Sequence, residues 1–139
     1  MPRRRTRMKW YFVDLLACPV CKASGEKLLV YPIEEVEEEP PPDIEKIKCK
    51  YYCSYKRTKP ENVPLEVCKE CARKRIRAGV IVCLNCGRWY PIIDEIPVML
   101  DDEYRDMKVY NRFAKKYLAR IPENVKKTMK IPSLNELSL

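Results

Sequence analysis

Eight cysteines fall in four close pairs, Cys18-x-x-Cys21, Cys49-x-x-x-Cys53, Cys68-x-x-Cys71 and Cys83-x-x-Cys86, in a chain without a single histidine. Two intervening residues let backbone amides wrap a tetrahedral ion with both thiolates on one side, and two such knuckles close one zinc site. With no imidazole available, structural zinc here is all-cysteine, and four pairs predict two sites and two zinc ions per chain. The three-residue gap between Cys49 and Cys53 is the least characteristic of the four. Spacing leaves the pairing open, since sequential and nested schemes both close: closure entropy grows only logarithmically with loop length. "CPVC" has the look of a redox dithiol but lacks a thioredoxin-like βαβ context. Four cysteines around one ion leave no open position for catalysis.

A staple is what this composition calls for. The chain has 139 residues with 12 Pro, 3 Gly, only 2 Phe and 2 Trp, and 35% charged side chains, so its core is thin even with 9 Tyr. Asp14 interrupts the apolar run of "WYFVDLLACP", which excludes a signal-peptide reading, and no stretch approaches the ~20 apolar residues of a membrane helix. The expectation is a cytoplasmic chain with no membrane partner, where Cys-x-x-Cys pairs read as metal ligands before disulfides. The absence of Gln and His beside abundant Lys, Arg and Glu is a hyperthermophile-like bias, and that is the setting in which intracellular disulfides do occur. The formal charge is +8. Two all-thiolate zinc sites would lower it to roughly +4.

Residues 1–7 form a basic arm with Arg3, Arg4 and Arg5. The spacing of Phe12, Leu15 and Leu16 predicts a short helix before the first knuckle. "KLLVYPI" reads as a strand, and the glutamates and prolines of "EEVEEEPPPD" as an exposed loop. "AGVIVC" is a strand, and "RWYPIIDEIPVML" gives two extended runs about a turn at Asp94-Glu95. Asp101 and Asp102 are placed to cap a helix whose apolar face carries Met107, Tyr110, Phe113, Ala114, Tyr117, Leu118 and Ile121. The 123–139 segment lacks periodicity and reads as a mobile tail.

"MKWYFVDLLACPVCK" and "GVIVCLNCGRWYPIIDEIPVML" together resemble the two halves of the multifunctional methyltransferase subunit family, small zinc-ribbon activators of methyltransferases; the chain looks like an archaeal-type member. The resemblance implies a small α+β zinc-ribbon fold over 8–30 and 78–101, with Cys18, Cys21, Cys83 and Cys86 as its metal ligands. It implies the nested scheme, with 31–77 an inserted lobe stapled by a second zinc on Cys49, Cys53, Cys68 and Cys71. A C-terminal amphipathic helix over 102–122 and the basic arm lie outside the usual pattern. The implied function is a non-catalytic activator of class I S-adenosylmethionine-dependent methyltransferases modifying tRNA, ribosomal RNA and a release factor.

The second block also carries more apolar side chains than a ribbon of this size buries alone. Trp89, Tyr90, Ile92, Ile93, Ile96, Val98, Met99 and Leu100, with Phe12 and Leu16, are therefore the expected partner surface. The competing expectation is a zinc-ribbon component of a ribonucleoprotein, ribosome-associated, with weak RNA contacts at Arg3, Arg4, Arg5, Arg73, Lys74 and Arg75.

Overall fold

The computed structural model describes residues 8–40 and 49–137. Its frame is a four-stranded antiparallel sheet in the order β1-β2-β3-β4, with β1 at Leu28–Glu37, β2 at Lys74–Cys83, β3 at Trp89–Ile93 and β4 at Ile96–Pro97. β2 is an inner strand, which is why "AGVIVC" is a continuous apolar run: residues 78–83 are all buried, those on one face against a different layer from those on the other. β3 and β4 meet in a tight turn at Asp94 and Glu95, both at positive φ (49° and 66°), the backbone of a two-residue hairpin loop where glycine would be unstrained.

β1 runs farther than the sequence suggests. Glu34 to Glu37, read as loop, continue the ladder against Ala78 to Lys74. Their charges find partners instead of dissolving the strand: Glu34 accepts from Arg120 and Tyr117, and Glu35 from the Trp10 indole. Two irregularities interrupt the register, and they leave Ile33 on β1 and Arg77 on β2 without a pairing partner.

Two layers cover the sheet. On one face lie Met8, Trp10 and Val13 of the N-terminal segment, with Leu28, Val30, Ile81, Cys83, Tyr90 and Ile92. The short helix before the first knuckle is 3₁₀ over Trp10–Leu15, and it buries Trp10 and Val13 instead of Phe12, Leu15 and Leu16; Leu15 is 75% exposed. A three-residue turn shifts the inward positions relative to an α-helical reading.

On the other face, Ala78, Val80, Val82 and Trp89 meet the C-terminal extension. The β1–β2 connection carries α1 (Leu65–Ala72), and the extension carries α2 (Met107–Tyr117) and α3 (Glu123–Lys126). α2 buries Tyr110, Phe113, Ala114 and Tyr117, most of the face the sequence assigns. Its cap is Asp106, whose side chain accepts from the Lys108 amide at 2.9 Å; Asp101 and Asp102 stand one turn earlier around a 3₁₀ helix. The segment read as a mobile tail packs as well: Val125, Met129 and Leu137 are buried, and Trp89 Nε1 donates to Pro132 O at 2.8 Å. Local periodicity misses it because its apolar residues are held singly across turns. Among the described residues, no helix is long and apolar enough to cross a membrane.

Candidate metal centre

Two knuckles of matching geometry face each other. In the first, Cys18 N–H donates to Ala23 O and Lys22 N–H to Cys18 O; in the second, Cys83 N–H donates to Arg88 O and Gly87 N–H to Cys83 O, all between 2.7 and 2.8 Å. The residue after each second cysteine, Lys22 or Gly87, takes a positive φ that reverses the chain. Glycine is required at the second position. A Cβ on Gly87 would sit 2.9 Å from the Lys130 side chain, where the C-terminal segment closes over the knuckle.

The four thiols converge. Sγ of Cys18 lies 3.7 Å from that of Cys86, Sγ of Cys21 lies 3.5 Å from that of Cys83, and all four lie within 4.8 Å of one another. A tetrahedron with ~2.3 Å zinc–sulfur bonds has an edge of about 3.8 Å, so the spacing fits one zinc, whereas a disulfide needs ~2.05 Å. All eight cysteines are free thiols.

Neighbouring donors prepare the thiols. Asn85 reaches across to donate to Cys21 Sγ at 3.4 Å, and with the Ala23 backbone amide it pulls that thiol down to about 6. Burial opposes ionisation at Cys18, yet the Cys21 amide and the Tyr90 hydroxyl, 3.1 Å away, bring its pKa below the ordinary value. Burial pushes Cys83 up to about 12. Arg88 is held by Asp102, through bonds of 2.8 and 2.6 Å, and also approaches Cys86, so its guanidinium ties the second knuckle to the extension. Tyr90 thus serves the metal centre and the core. This orienting shell of Asn85, Tyr90 and Arg88 escapes sequence reasoning, although Asn85 sits inside the motif itself.

The inner cysteines are gathered more loosely. Cys68 and Cys71 lie one turn apart on α1, and Cys53 Sγ accepts the Lys56 amide at 3.4 Å. Burial first, and then Cys49, Cys53 and Cys68, raise the Cys71 thiol, so the four share one neighbourhood. They are not drawn within 4.8 Å as the outer four are. Asp14 holds the strand of chain between Cys49 and Cys53, its carboxylate accepting the amides of Lys50, Tyr51 and Tyr52 at 2.8 to 3.2 Å. That residue reads in the sequence only as a break in an apolar run, because its partners are far along the chain. Asp14→Ala is expected to cost about 1–2 kcal/mol and to speed hydrogen exchange at residues 50–52, leaving β2 and β3 protected; unchanged exchange there would remove the clamp.

The expected partner surface divides. Trp89, Tyr90 and Ile92 are fully buried in the chain's own two layers, which corrects their assignment: the extension and the N-terminal segment cover the faces a bare ribbon would leave open. Ile93, Val98, Met99, Phe12 and Leu16 are partly buried, while Ile96 and Leu100 are 59% and 46% exposed. Of the expected RNA contacts, Arg75 is engaged with Glu38 and Glu95, Lys74 lies over the Tyr55 ring, and Arg73 is exposed. Arg3, Arg4 and Arg5 lie outside the described residues.

Fold and site together define a small α+β domain with a four-strand sheet, whose cysteine centre is assembled from two distant knuckles and suits a metal ion. The family model described as Trm112p-like protein matches residues 11–95, and the chain belongs to that family, as the resemblance of its two cysteine blocks implies. The match runs through the whole β1–β2 connection and leaves α2 and α3 outside it. No curated protein and no solved structure matches the chain. Membership suggests a role in methyltransferase activation.

Proposed function

We propose that the chain is a non-catalytic subunit that binds class I S-adenosylmethionine-dependent methyltransferases acting on tRNA, ribosomal RNA or a release factor, and stabilises their folded, active form. The observation that carries this reading is the family match over residues 11–95, with the four converging thiols inside it. Cys18, Cys21, Cys83 and Cys86 would hold a zinc ion whose contribution is structural closure. Catalysis and its cofactor belong to the partner. The partner surface is the outer edge formed by β4 and the residues after it, where Ile96 and Leu100 offer exposed apolar area beside the half-buried Val98 and Met99.

Affinity purification from nuclease-treated native lysate tests the reading: methyltransferases should remain bound after the RNA is gone. Ile96→Asp should abolish their recovery, because a carboxylate desolvated without a partner costs several kcal/mol, about the margin of a moderate interface. The free variant should keep its melting curve, since that side chain is exposed. Recovery of ribosomal material alone, lost on nuclease treatment, would place the protein in a ribonucleoprotein instead.

We also assign a second zinc to Cys49, Cys53, Cys68 and Cys71. Support comes from their shared neighbourhood, from the placement of Cys68 and Cys71 on one helix face, and from the Asp14 clamp on the loop between the other two. Elemental analysis of protein purified without added metal should give about two zinc ions per chain, falling to about one in Cys68→Ser with the sheet intact. A ratio near one in the wild type removes the inner site, and disulfides among these four residues would replace it.

A further inference from the structure

Residues 50–59, "KYYCSYKRTK", interleave four cations with three tyrosines and include no acidic residue. The fold presents them at the surface of the β1–β2 connection. Cys53 and Thr58 exchange both backbone hydrogen bonds, at 2.9 and 3.2 Å, and close a small hairpin that carries Lys56 and Arg57 in its turn. Arg57 sits at a φ of 57°, uncommon for any residue but glycine, and its guanidinium donates to Leu28 O at 2.9 Å and to Glu26 O at 3.1 Å. There it stands 5.7 Å from the Tyr52 ring centroid.

Among the described residues, two aromatic rings are exposed, and their surroundings differ. Tyr104, 64% exposed, follows Asp101, Asp102 and Glu103, whereas Tyr51, 75% exposed, follows Lys50 and precedes the hairpin. Tyr51 is thus the exposed ring that stands in a segment of purely positive charge. Its backbone is fixed, because both oxygens of the Asp14 carboxylate accept its amide at 3.2 Å. Leu15, next to Asp14 in the chain, is as exposed as the ring, so apolar area on a fixed backbone faces solvent there.

What this surface accepts follows from which groups are already used. Asp14 takes the amides of residues 50–52, and the hairpin takes those of Cys53 and Thr58, so an added polypeptide strand finds these donors occupied. An acidic peptide would meet the cations and leave the ring in water. A single strand of nucleic acid carries a planar base and a phosphate at every residue, which matches an exposed ring among cations in any register. We propose that residues 50–59 form a binding site for single-stranded nucleic acid, with a base stacked on Tyr51 and the strand's phosphates on Lys50 and Lys56. The site does not rest on the methyltransferase reading. It lies on the β1 side of the sheet, where Arg57 holds Leu28 O, and leaves the opposite edge at β4 free for a protein partner.

Fluorescence anisotropy of the full chain with a labelled oligouridylate tests the site, beside a labelled abasic strand of equal length. Tyr51→Ala should weaken oligouridylate binding about tenfold, leave the abasic strand within about twofold and leave the salt slope unchanged, since the side chain removed stacks and bears no charge. Tyr51→Phe should restore the wild-type affinity within about twofold. Lys50→Gln with Lys56→Gln should weaken both probes and reduce the salt slope by about 1.4, at roughly 0.7 per phosphate contact on a single strand. Tyr104→Ala, which truncates the other exposed ring, should change neither probe by more than about twofold. Oligodeoxyuridylate should bind within about threefold of oligouridylate, because base and phosphate are common to both. The site would be overturned by absence of wild-type binding, by an abasic strand bound as tightly as oligouridylate, by a Tyr51→Ala variant as tight as the wild type, or by a ribose preference beyond that margin. Polyglutamate competing as well as unlabelled oligouridylate would overturn it too, and would assign the segment to an acidic protein surface.

Discussion

Cys83→Ser is expected to release the metal of the outer centre and unfold the chain. Cys83 ends β2, the inner strand on which both layers of the core rest, and its side chain is fully buried beside Cys18, Leu28 and Tyr90. A serine hydroxyl there cannot supply a thiolate, so the other three ligands lose their common ion. Structural zinc contributes roughly 10–16 kcal/mol of apparent binding energy in small metal-folded domains, against about 5–15 kcal/mol for the net stability of a typical protein. The closure lost is also long-range: the centre joins the N-terminal segment, which covers one face of the sheet, to the middle of that sheet. Metal analysis should show the outer zinc gone, and circular dichroism should show loss of the cooperative melt. A zinc-free variant with a native-like melt would mean that the two core layers suffice without the centre. Cys68→Ser, confined to the β1–β2 connection, should leave that melt in place, so equal collapse of both variants would contradict the nested arrangement.

The two knuckles of the outer centre were legible because their determinants are local, two-residue spacings and a strand of unbroken apolar character leading into the second; that these two share one centre came only from the family resemblance, since spacing leaves the pairing open. What covers the strands was not legible. Alternation along β3 separates Trp89 from Tyr90 and Ile92, but it does not say that each side has its own roof. Counting the ribbon alone therefore leaves these side chains in apparent surplus and sends them to a partner. The roof over Trp89 comes from a segment beyond the family match. Its helix was readable from the 3.6-residue period of Tyr110, Phe113, Ala114 and Tyr117, whereas Val125, Met129 and Leu137 are spaced by turns and carry no period at all. Charged residues misled in the same way. The glutamates of β1 look like loop composition until Trp10, Tyr117 and Arg120 are found bonding to them from distant positions. The same limit hides the shell around the thiols, since Tyr90 reaches Cys18 and Arg88 reaches Asp102 only once the sheet has formed.

Trp89→Ala is expected to cost about 3–5 kcal/mol, the range for removing a large aromatic from a closed core. Its ring stands 4.9 Å from that of Tyr110 in an edge-on arrangement and 6.2 Å from that of Phe113. The backbone at the same residue is equally committed, its amide donating to Ile131 O and its carbonyl accepting the Tyr110 hydroxyl. Truncation therefore opens a cavity where β3, α2 and the C-terminal segment meet, and leaves Pro132 O without its indole donor. Trp89→Phe separates the two contributions: it keeps most of the packing and loses the hydrogen bond, for an expected cost of about 1–2 kcal/mol. Because the metal centre lies on the other side of β3, zinc content should be unchanged in both variants, and limited proteolysis of Trp89→Ala should cut first within residues 123–137. A stability loss below about 1 kcal/mol in Trp89→Ala would mean that the extension does not seal this face. Trp89 would then be available to a partner, as a reading of the ribbon by itself expects.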